Sequence, residues 1–391
     1  MTKQSHHPGL CSSVIHLAMC VDDNYCCHLA ALLASIKHYN PEQKVCCHIL
    51  HDGLSDANCQ ALEAMTNEHF SLLFYAVSSA LPDQLSLSER YRERVSCITY
   101  FRFLLPQVLD TGITRVIYLD VDMLVAGDLL PLWQMPLQEK ALGAVRDGAL
   151  TAQKRWQTLG YETPQYVNAG MLIFNLPVWR KAGLAEQILA TGGTERNWEY
   201  NDQDILNVVL HQQMLLVDNR YNTQSYHFQQ GIAVSDPHIV HFTGAEKPWH
   251  ISAQHPYQWL YVGMRNTTVY ATETLDLYLD AGDKKLLDKA MAMIKPGQRV
   301  IIMGAGQKGR RLYHGLMRYV DGVEVAGFVD KQISGYYQGV AIAKEVGQFE
   351  FDKVLIASVA FEQEIAQQLN RCGVTLTAII NFSQESQACA V

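Results

Sequence analysis

Two aspartates one residue apart, Asp120 and Asp122, close the apolar run VIYLDVD at residues 116–122. In extended backbone, side chains two residues apart share a face. Carboxylates held that way repel each other unless something positive lies between them. A hard divalent cation with oxygen ligands, Mn²⁺ or Mg²⁺, meets that need. Such a cation can grip a diphosphate and offset the charge that builds on a leaving group. The spacing alone is a weak signal. With 21 aspartates in the chain, about one such pair arises by chance, and DQD at 202–204 is a second. Taken by itself, an Asp-x-Asp is more often a solvated strand end or a helix cap.

The elements around the pair give it a place. SVIHLAMCV (13–21) is a short apolar run that stops at DDNY, the pattern of a buried parallel strand and its turn. Leu29, Leu32, Leu33 and Ile36 then recur at helical spacing as far as Asn40–Pro41, a stop signal. KVCCHILHDG reads as a second strand, Ser55 as the cap of the next helix, and FSLLFYAVS as a third strand. Strand and helix alternate, which predicts an α/β domain with a mainly parallel sheet. Ligands bind such sheets at the carboxyl ends of the strands, so DDNY and DVD can converge across about 100 residues of chain. Further strands are expected at 141–147, 171–176 and 238–242.

After Pro296–Gly297 the pattern restarts with RVIIMGAGQKGRRLYHGL, VEVAGFVDK, FDKVLIAS and LTAIINF. The expected organisation is a catalytic domain over 1–262, a helical connector over 263–295 and a smaller α/β domain over 296–391. GAGQKG (304–309) follows a strand and opens a helix, and Asp330 ends the next strand, as in a dinucleotide-binding fingerprint. The unit is only about half the length of a full dinucleotide-binding domain, and no second substrate domain follows it. A docking or dimerising role is the reading favoured for it.

Composition sets outer bounds. The chain has 391 residues, is 48% hydrophobic and 18% charged, and carries a formal net charge of -8. That is an ordinary globular balance, without the clustered basic excess of a nucleic-acid surface. The ten cysteines include the neighbours Cys26–Cys27 and Cys46–Cys47 but no CxxC, a poor framework for disulfides or zinc. Free thiols in a reducing compartment are expected. MTKQSHHPGLCSS lacks the pattern of a signal peptide, and no apolar run approaches about 20 residues. The expected location is cytoplasmic, at most peripheral to the inner membrane.

Six blocks follow one another in order: CVDDNY (20–25), ITYFRFLLP (98–106), YLDVDMLVAGDLLPLW (118–133), VNAGMLIFNL (167–176), YNDQDILN (200–207) and HFTGAEKPWH (241–250). Together they resemble the retaining nucleotide-sugar glycosyltransferases of family 8, which include bacterial lipopolysaccharide galactosyl- and glucosyltransferases. The resemblance spans about residues 13–262, two-thirds of the chain. It implies a GT-A fold, a UDP-sugar donor and a divalent metal, usually Mn²⁺. Asp120 and Asp122 match the metal-binding aspartates, and His241 matches the third metal ligand. Cys20, Asp22 and Asn24 lie in the segment that matches the uridine and ribose contacts. Lys247 matches the lysine that meets the diphosphate, with Gly244 beside it. Arg102, Asn168, Asp202 and Gln203 match residues around the donor sugar.

The implied activity is transfer of galactose or glucose from UDP to a glycan or glycolipid acceptor, in lipopolysaccharide or surface-polysaccharide assembly. With retention, the acceptor hydroxyl attacks the face that UDP leaves, and the departing phosphate oxygen takes its proton. Gln203 or Asp202 either stabilises positive charge on the anomeric carbon or acts as a transient nucleophile. No acid and nucleophile spaced like those of a glycosidase stand out. Some relatives end in a basic, aromatic membrane-touching tail. This chain ends NFSQESQACAV, which points to the appended domain as the docking element instead.

Blander readings compete. A capping role is as good as a functional one for Asp204 at the start of a helix. Trp133, Trp179 and Trp249 read as packing anchors, and the arginines of ERYRERVS (89–96) as a solvated face. Three functional rivals share some of these features. A haloacid-dehalogenase-type phosphatase or phosphotransferase would use the first aspartate as nucleophile and the second as acid/base. The others are a non-catalytic nucleotide-sugar binder and an NAD-linked oxidoreductase built on Gly304–Gly309.

Overall fold

The computed structural model describes residues 14–77, 97–194 and 198–383. The chain divides into two compact units, one of Met1–Lys247 and His255–Glu273, the other of Pro248–Gln254 and Thr274–Val391. The basic stretch 89–96 lies outside the described residues.

In the first unit the strands are β1 (Ile15–Val21), β2 (Val45–His51), β3 (Phe70–Ala76), β4 (Arg115–Leu119), β5 (Met123–Val125), β6 (Leu142–Arg146), β7 (Val167–Asn175), β8 (Met214–Val217), β9 (Thr223–Gln224) and β10 (Ile239–His241). Its helices include α1 (Cys26–Tyr39), α2 (Asp56–Glu63), α3 (Asn201–Leu210) and α4 (Gln258–Arg265). Local chemistry sets their ends. Asp22 accepts the Tyr25 N–H at 3.1 Å and caps the turn that leads into α1. Asn40 closes α1 through its backbone N–H on the Ile36 carbonyl, and Pro41 follows. Ser55 caps α2, accepting the Asn58 N–H.

Seven strands form the main sheet in the order β3-β2-β1-β4-β7-β6-β8. The pairs β2–β3, β1–β2, β1–β4 and β6–β8 are parallel. The reversed strand is β7, antiparallel to both β4 and β6. Its reversal lays the start of β7 beside the carboxyl end of β4, with Leu119 opposite Met171. Apolar layers cover both faces, which is why β1 reads as a continuous apolar run. Ile15, Leu17, Met19 and Val21 join one cluster and Ala18 and Cys20 the other. Trp133 and Trp179 are buried in these two layers. A small second sheet, β5-β10-β9, pairs His241 with Met123 in antiparallel register.

The second unit carries β11 (Arg299–Met303), β12 (Glu324–Val329), β13 (Gly335–Tyr337), β14 (Val340–Ala343), β15 (Lys353–Ile356) and β16 (Ile379–Ile380), in the order β13-β14-β12-β11-β15-β16. All neighbours are parallel except the β13–β14 hairpin. The helices α5 (Ala281–Met293), α6 (Gln307–Tyr319) and α7 (Glu362–Arg371) accompany this sheet. Residues 263–295 are divided between the units. The end of α4 lies in the first, whereas α5 buries Leu286, Leu287 and Ala290 in the core of the second. Trp249, in the second unit, is buried as well. No helix among the described residues is long and apolar enough to cross a membrane.

Candidate active site

The site grows from the β4–β7 and β5–β10 pairings. The Asp120 N–H donates to the Gly170 carbonyl at 2.9 Å, and the Phe242 N–H to the Asp122 carbonyl at 3.0 Å. Two strand pairs thus bring 120–122, 168–170 and 241 together. One ligand atom from each of Asp120, Asp122 and His241 lies within 4.8 Å of the other two. His241 Nε2 is 3.3 Å from Asp122 and 3.9 Å from Asp120. Its Nδ1 faces Asn222 Oδ1 at 3.1 Å, while Asn222 donates its amide to Asn168 Oδ1 at 2.9 Å. Asn222 is therefore the acceptor for the imidazole Nδ1–H, which turns Nε2 toward the carboxylates. Gly170 makes room for this ring, because a Cβ there would overlap His241.

Lys247 Nζ donates to Asp122 at 2.6 Å and to the Phe242 carbonyl at 2.7 Å. Burial alone would raise the Asp122 carboxyl, but Lys247 and His241 outweigh it and hold it well below the usual carboxylate range. Two carboxylates and an imidazole nitrogen form a donor set that fits a divalent cation of the Mn²⁺ or Mg²⁺ class. The carboxylates are partly exposed, 25% for Asp120 and 19% for Asp122, which leaves room for further oxygen ligands.

Arg102 is the hub beneath. It comes from the 3-10 segment Cys97–Leu104 and is buried, its guanidinium 4.5 Å from the centre of the Tyr118 ring. It donates to the Thr99 and Ala169 carbonyls and lies 3.1 Å from Asp120 and 3.5 Å from Asp202. The Tyr118 hydroxyl donates to Asp120 at 2.7 Å. Burial pushes the Asp202 carboxyl up to about 6, with Arg102 opposing the rise and Asp120 adding to it. Beside it, Gln203 Oε1 accepts from the Ala169 N–H at 3.0 Å and the Asn168 amide at 3.2 Å. Gln203 Nε2 and Asn168 Nδ2 both donate to Asp147 Oδ2 at 3.1 Å. The side chains of Gln203 and Asn168 are thereby locked in one orientation.

The remaining expected residues are placed as follows. Cys20 is buried near Arg102 and Asp120, and burial pushes its thiol up to about 12, so it presents no reactive sulfur. Asp22 caps the turn after β1, the strand next to β4, and Asn24 is exposed in that turn. Asp23 is taken up by α2, accepting from the Ser55 N–H and the Asn58 amide at 2.8 Å each. Gly244 sits three residues past His241 with φ of +88°, a conformation that favours glycine. Among the described residues, Asp22, Asn24 and Gly244 make no hydrogen bond to the carboxylate cluster itself. Asp204 is buried and accepts from Arg155, the Tyr166 hydroxyl at 2.8 Å and the Tyr200 N–H at 3.0 Å. Its role is to anchor the start of α3.

Asp147, Gly170, Asn222 and Tyr118 belong to this constellation but do not stand out in the sequence. Asp147 ends the strand expected at 141–147, so the strand-end rule could have found it. Tyr118 precedes Asp120 by two residues and shares its face. Nothing in the local sequence singles out Asn222, which becomes relevant only through the β9–β10 pairing nearby.

Known proteins share this arrangement of segments. A model of glycosyl transferase family 8 matches residues 16–253, and one described as C2185-like, N-terminal, matches residues 297–380. General stress protein A of Bacillus subtilis (strain 168) is 28% identical over 265 residues, covering 63% of this chain and 91% of its own. Lipopolysaccharide 1,3-galactosyltransferase of Salmonella typhimurium is 25% identical over 258 residues, covering 62% and 74%. Among solved structures, the galactosyltransferase LgtC with donor and acceptor sugar analogues matches 65% of this chain and 96% of its own, with a TM-score of 0.59 at 24% identity. Apo GlyE of Streptococcus pneumoniae matches 96% and 94%, with a TM-score of 0.51 at 15% identity. These structural likenesses establish a GT-A fold for the first unit, and the second likeness continues into the C-terminal unit.

Proposed function

This chain belongs to glycosyltransferase family 8, and from that membership we propose a metal-dependent, retaining hexosyltransferase that moves galactose or glucose from a UDP-sugar to a glycan or glycolipid acceptor. The setting we assign is bacterial lipopolysaccharide or surface-polysaccharide assembly in the cytoplasm, by analogy with the lipopolysaccharide galactosyl- and glucosyltransferases it resembles. The observation that carries the reading is the convergence of Asp120, Asp122 and His241 with Lys247 already in contact with Asp122.

Asp120, Asp122 and His241 would hold the cation, Mn²⁺ or Mg²⁺, which when bound supplies positive charge for the diphosphate oxygens and the leaving group. Lys247 adds a second cation at the same place, where UDP departs. Arg102 fixes Asp120 from below and ties it to Asp202. Cys20, Asp22 and Asn24 mark the segment for the uridine and ribose, Gly244 adjoins the diphosphate, and Asn168 stands beside the sugar.

Gln203 and Asp202 divide the work at the anomeric carbon. The Gln203 carbonyl already accepts two hydrogen bonds, which suits an oriented dipole and disfavours a nucleophile. Asp202 meets Arg102 only at 3.5 Å and is ionised above pH of about 6. We assign it the negative charge that stabilises the positive anomeric carbon. Family membership removes the ground for the phosphatase and non-catalytic alternatives. In the second unit, Asp330 is occupied by backbone N–H groups, which supports a docking or dimerising role over cofactor binding.

A donor panel tests the proposal: UDP-Gal, UDP-Glc, UDP-GlcNAc and GDP-Man, each with Mn²⁺ and with chelator, followed by thermal shift and UDP release. Stabilisation and turnover with a UDP-hexose, lost in chelator, are expected. Equal response to GDP-Man, or full turnover in chelator, would overturn the reading.

A further inference from the structure

At the far end of β1 from the aspartates, a second cluster of metal-ligating side chains is present. His16 is the second residue of β1, and Cys46 and His48 lie two residues apart on β2. Parallel register sets His16 opposite Cys46 and Ala18 opposite His48, so all three side chains emerge on one face of neighbouring strands. A ligand atom of each lies within 4.8 Å of the other two. His16 Nδ1 is 3.0 Å from His48 Nε2. Two imidazole nitrogens on one tetrahedral zinc would be separated by about 3.3 Å, given Zn–N bonds of about 2.0–2.1 Å.

The surroundings suit such a site. His48 Nδ1 is 3.0 Å from the Tyr75 hydroxyl, and in the tautomer that donates there the Nε2 lone pair faces His16. This is the outer hydrogen bond that usually orients a histidine ligand. Burial pushes His48 down to about 4, with His16 adding to the fall, and lowers His16 as well, so both rings are neutral near pH 7. His48 and Cys46 are buried, whereas His16 is half-buried and gives a route in from solvent. From His16 to Asp22 the extended strand spans about 20 Å, which separates this cluster from the sugar-nucleotide site.

We propose that His16, Cys46 and His48 form a binding site for a borderline, thiophilic divalent cation, Zn²⁺ being the representative, that clips β1 to β2. One thiolate and two imidazoles suit that class better than they suit Mn²⁺ or Mg²⁺, which favour oxygen. On binding, two metal–nitrogen bonds and one metal–sulfur bond form. Burial raises the Cys46 thiol, so its proton leaves only as the cation binds: the S–H breaks, the proton passing to buffer, and His16 moves its Nδ1 proton to Nε2. A fourth position remains for water. This site is independent of the proposed transferase reaction and does not share residues with it.

Cobalt(II) titration of the full, metal-stripped chain tests the proposal. A sulfur-to-cobalt charge-transfer band is expected at one equivalent, displaced by Zn²⁺, because the Asp120–Asp122–His241 cluster contains no sulfur. The band should vanish in Cys46→Ser, weaken in His16→Gln, and persist in Asp122→Asn and Cys27→Ser. His16 is half-buried, so His16→Gln remains informative if Cys46→Ser does not fold. Zn²⁺ should also raise the melting temperature of the wild type and of Asp122→Asn by more than that of His16→Gln. Absence of the band, or an unchanged band in Cys46→Ser or His16→Gln, would overturn the assignment.

Discussion

At the end of β4 the carboxylates of Asp120 and Asp122 face Arg102, Lys247 and His241, whereas at the end of β12 the carboxylate of Asp330 accepts three backbone N–H groups. Asp120 and Asp330 each close an apolar strand at the carboxyl edge of an α/β sheet, where ligands bind. In the first unit the partners are side chains, two cations, an imidazole and the Tyr118 hydroxyl, which leave oxygen lone pairs open to a further ligand. In the second, Ala305 of the glycine loop and Gln332 and Ile333 of the following turn take three of the carboxylate's roughly four acceptor positions. Those donors outweigh burial and hold the Asp330 carboxyl below its usual range. A strand-end aspartate is thus a position, and its neighbours decide whether it serves a ligand or a loop.

Exchanging these carboxylates for amides tests the contrast most severely. Asp122→Asn should lower transferase rate by on the order of 10³-fold, the scale of losing a preorganised electrostatic group, and should abolish metal-dependent stabilisation by UDP. Asp330→Asn should leave the rate unchanged and cost about 1–2 kcal/mol in unfolding free energy. If the two variants behave alike in kinetics, the distinction fails.

The glycines give the next test. Adding a Cβ at Gly309 would drive it into the Gly304 carbonyl, backbone against backbone, and Gly309→Ala should destabilise the second unit by about 3 kcal/mol in denaturant melts. At Gly170 the same methyl meets the movable His241 ring. Gly170→Ala should weaken Mn²⁺ affinity about 10–100-fold with a smaller loss of stability. Intact Mn²⁺ affinity in Gly170→Ala would show that His241 is not held against β7 for metal binding.

Asp202 has a sign that can be checked. Its folded pKa of about 6 lies above the ordinary 3.8, so the native state binds the proton more tightly than the unfolded chain. The cost of ionising it is absent below pH of about 4, grows through the window between, and is complete above about 6. In chelator, Asp202→Asn should therefore gain up to about 3 kcal/mol of stability at pH 8 and nothing at pH 4, while with Mn²⁺ present its transfer activity should fall below that of the wild type. A gain that is the same at both pH values would contradict the assigned burial effect.

The smallest effect belongs to Asn222, which touches no substrate in the proposed scheme. Asn222→Ala should free the His241 ring and reduce Mn²⁺ affinity about 10-fold, read by calorimetry, whereas Asn222→Asp should restore much of it. Equal loss in both variants would point to packing rather than ring orientation.

Much of this molecule was legible in its residues. Continuous apolar runs identified the buried strands, Asn40–Pro41 and Ser55 marked helix ends, and the restart after Pro296–Gly297 announced a second α/β unit. Asp120, Asp122 and His241 were singled out because they sit in blocks with enough residues in register to be specific, and the fold brings their side chains together. Other features depended on pairing. The reversal of β7 is what seats Gly170 and Asn168 beside Asp120, and a strand's direction leaves little trace in its composition. The same holds for Asn222 on His241 and for Asp147 beneath Gln203.

The cysteine count, without a CxxC, argued against zinc, yet His16, Cys46 and His48 meet because two strands about 30 residues apart lie in parallel register. Local sequence therefore determined which segments are strands, which residues end them and what chemistry those residues can offer. Only the tertiary structure decided which of those residues face one another. Hydrogen-bonded register and strand direction are relations between segments, and a hydrophobic pattern records burial without naming the partner that provides it.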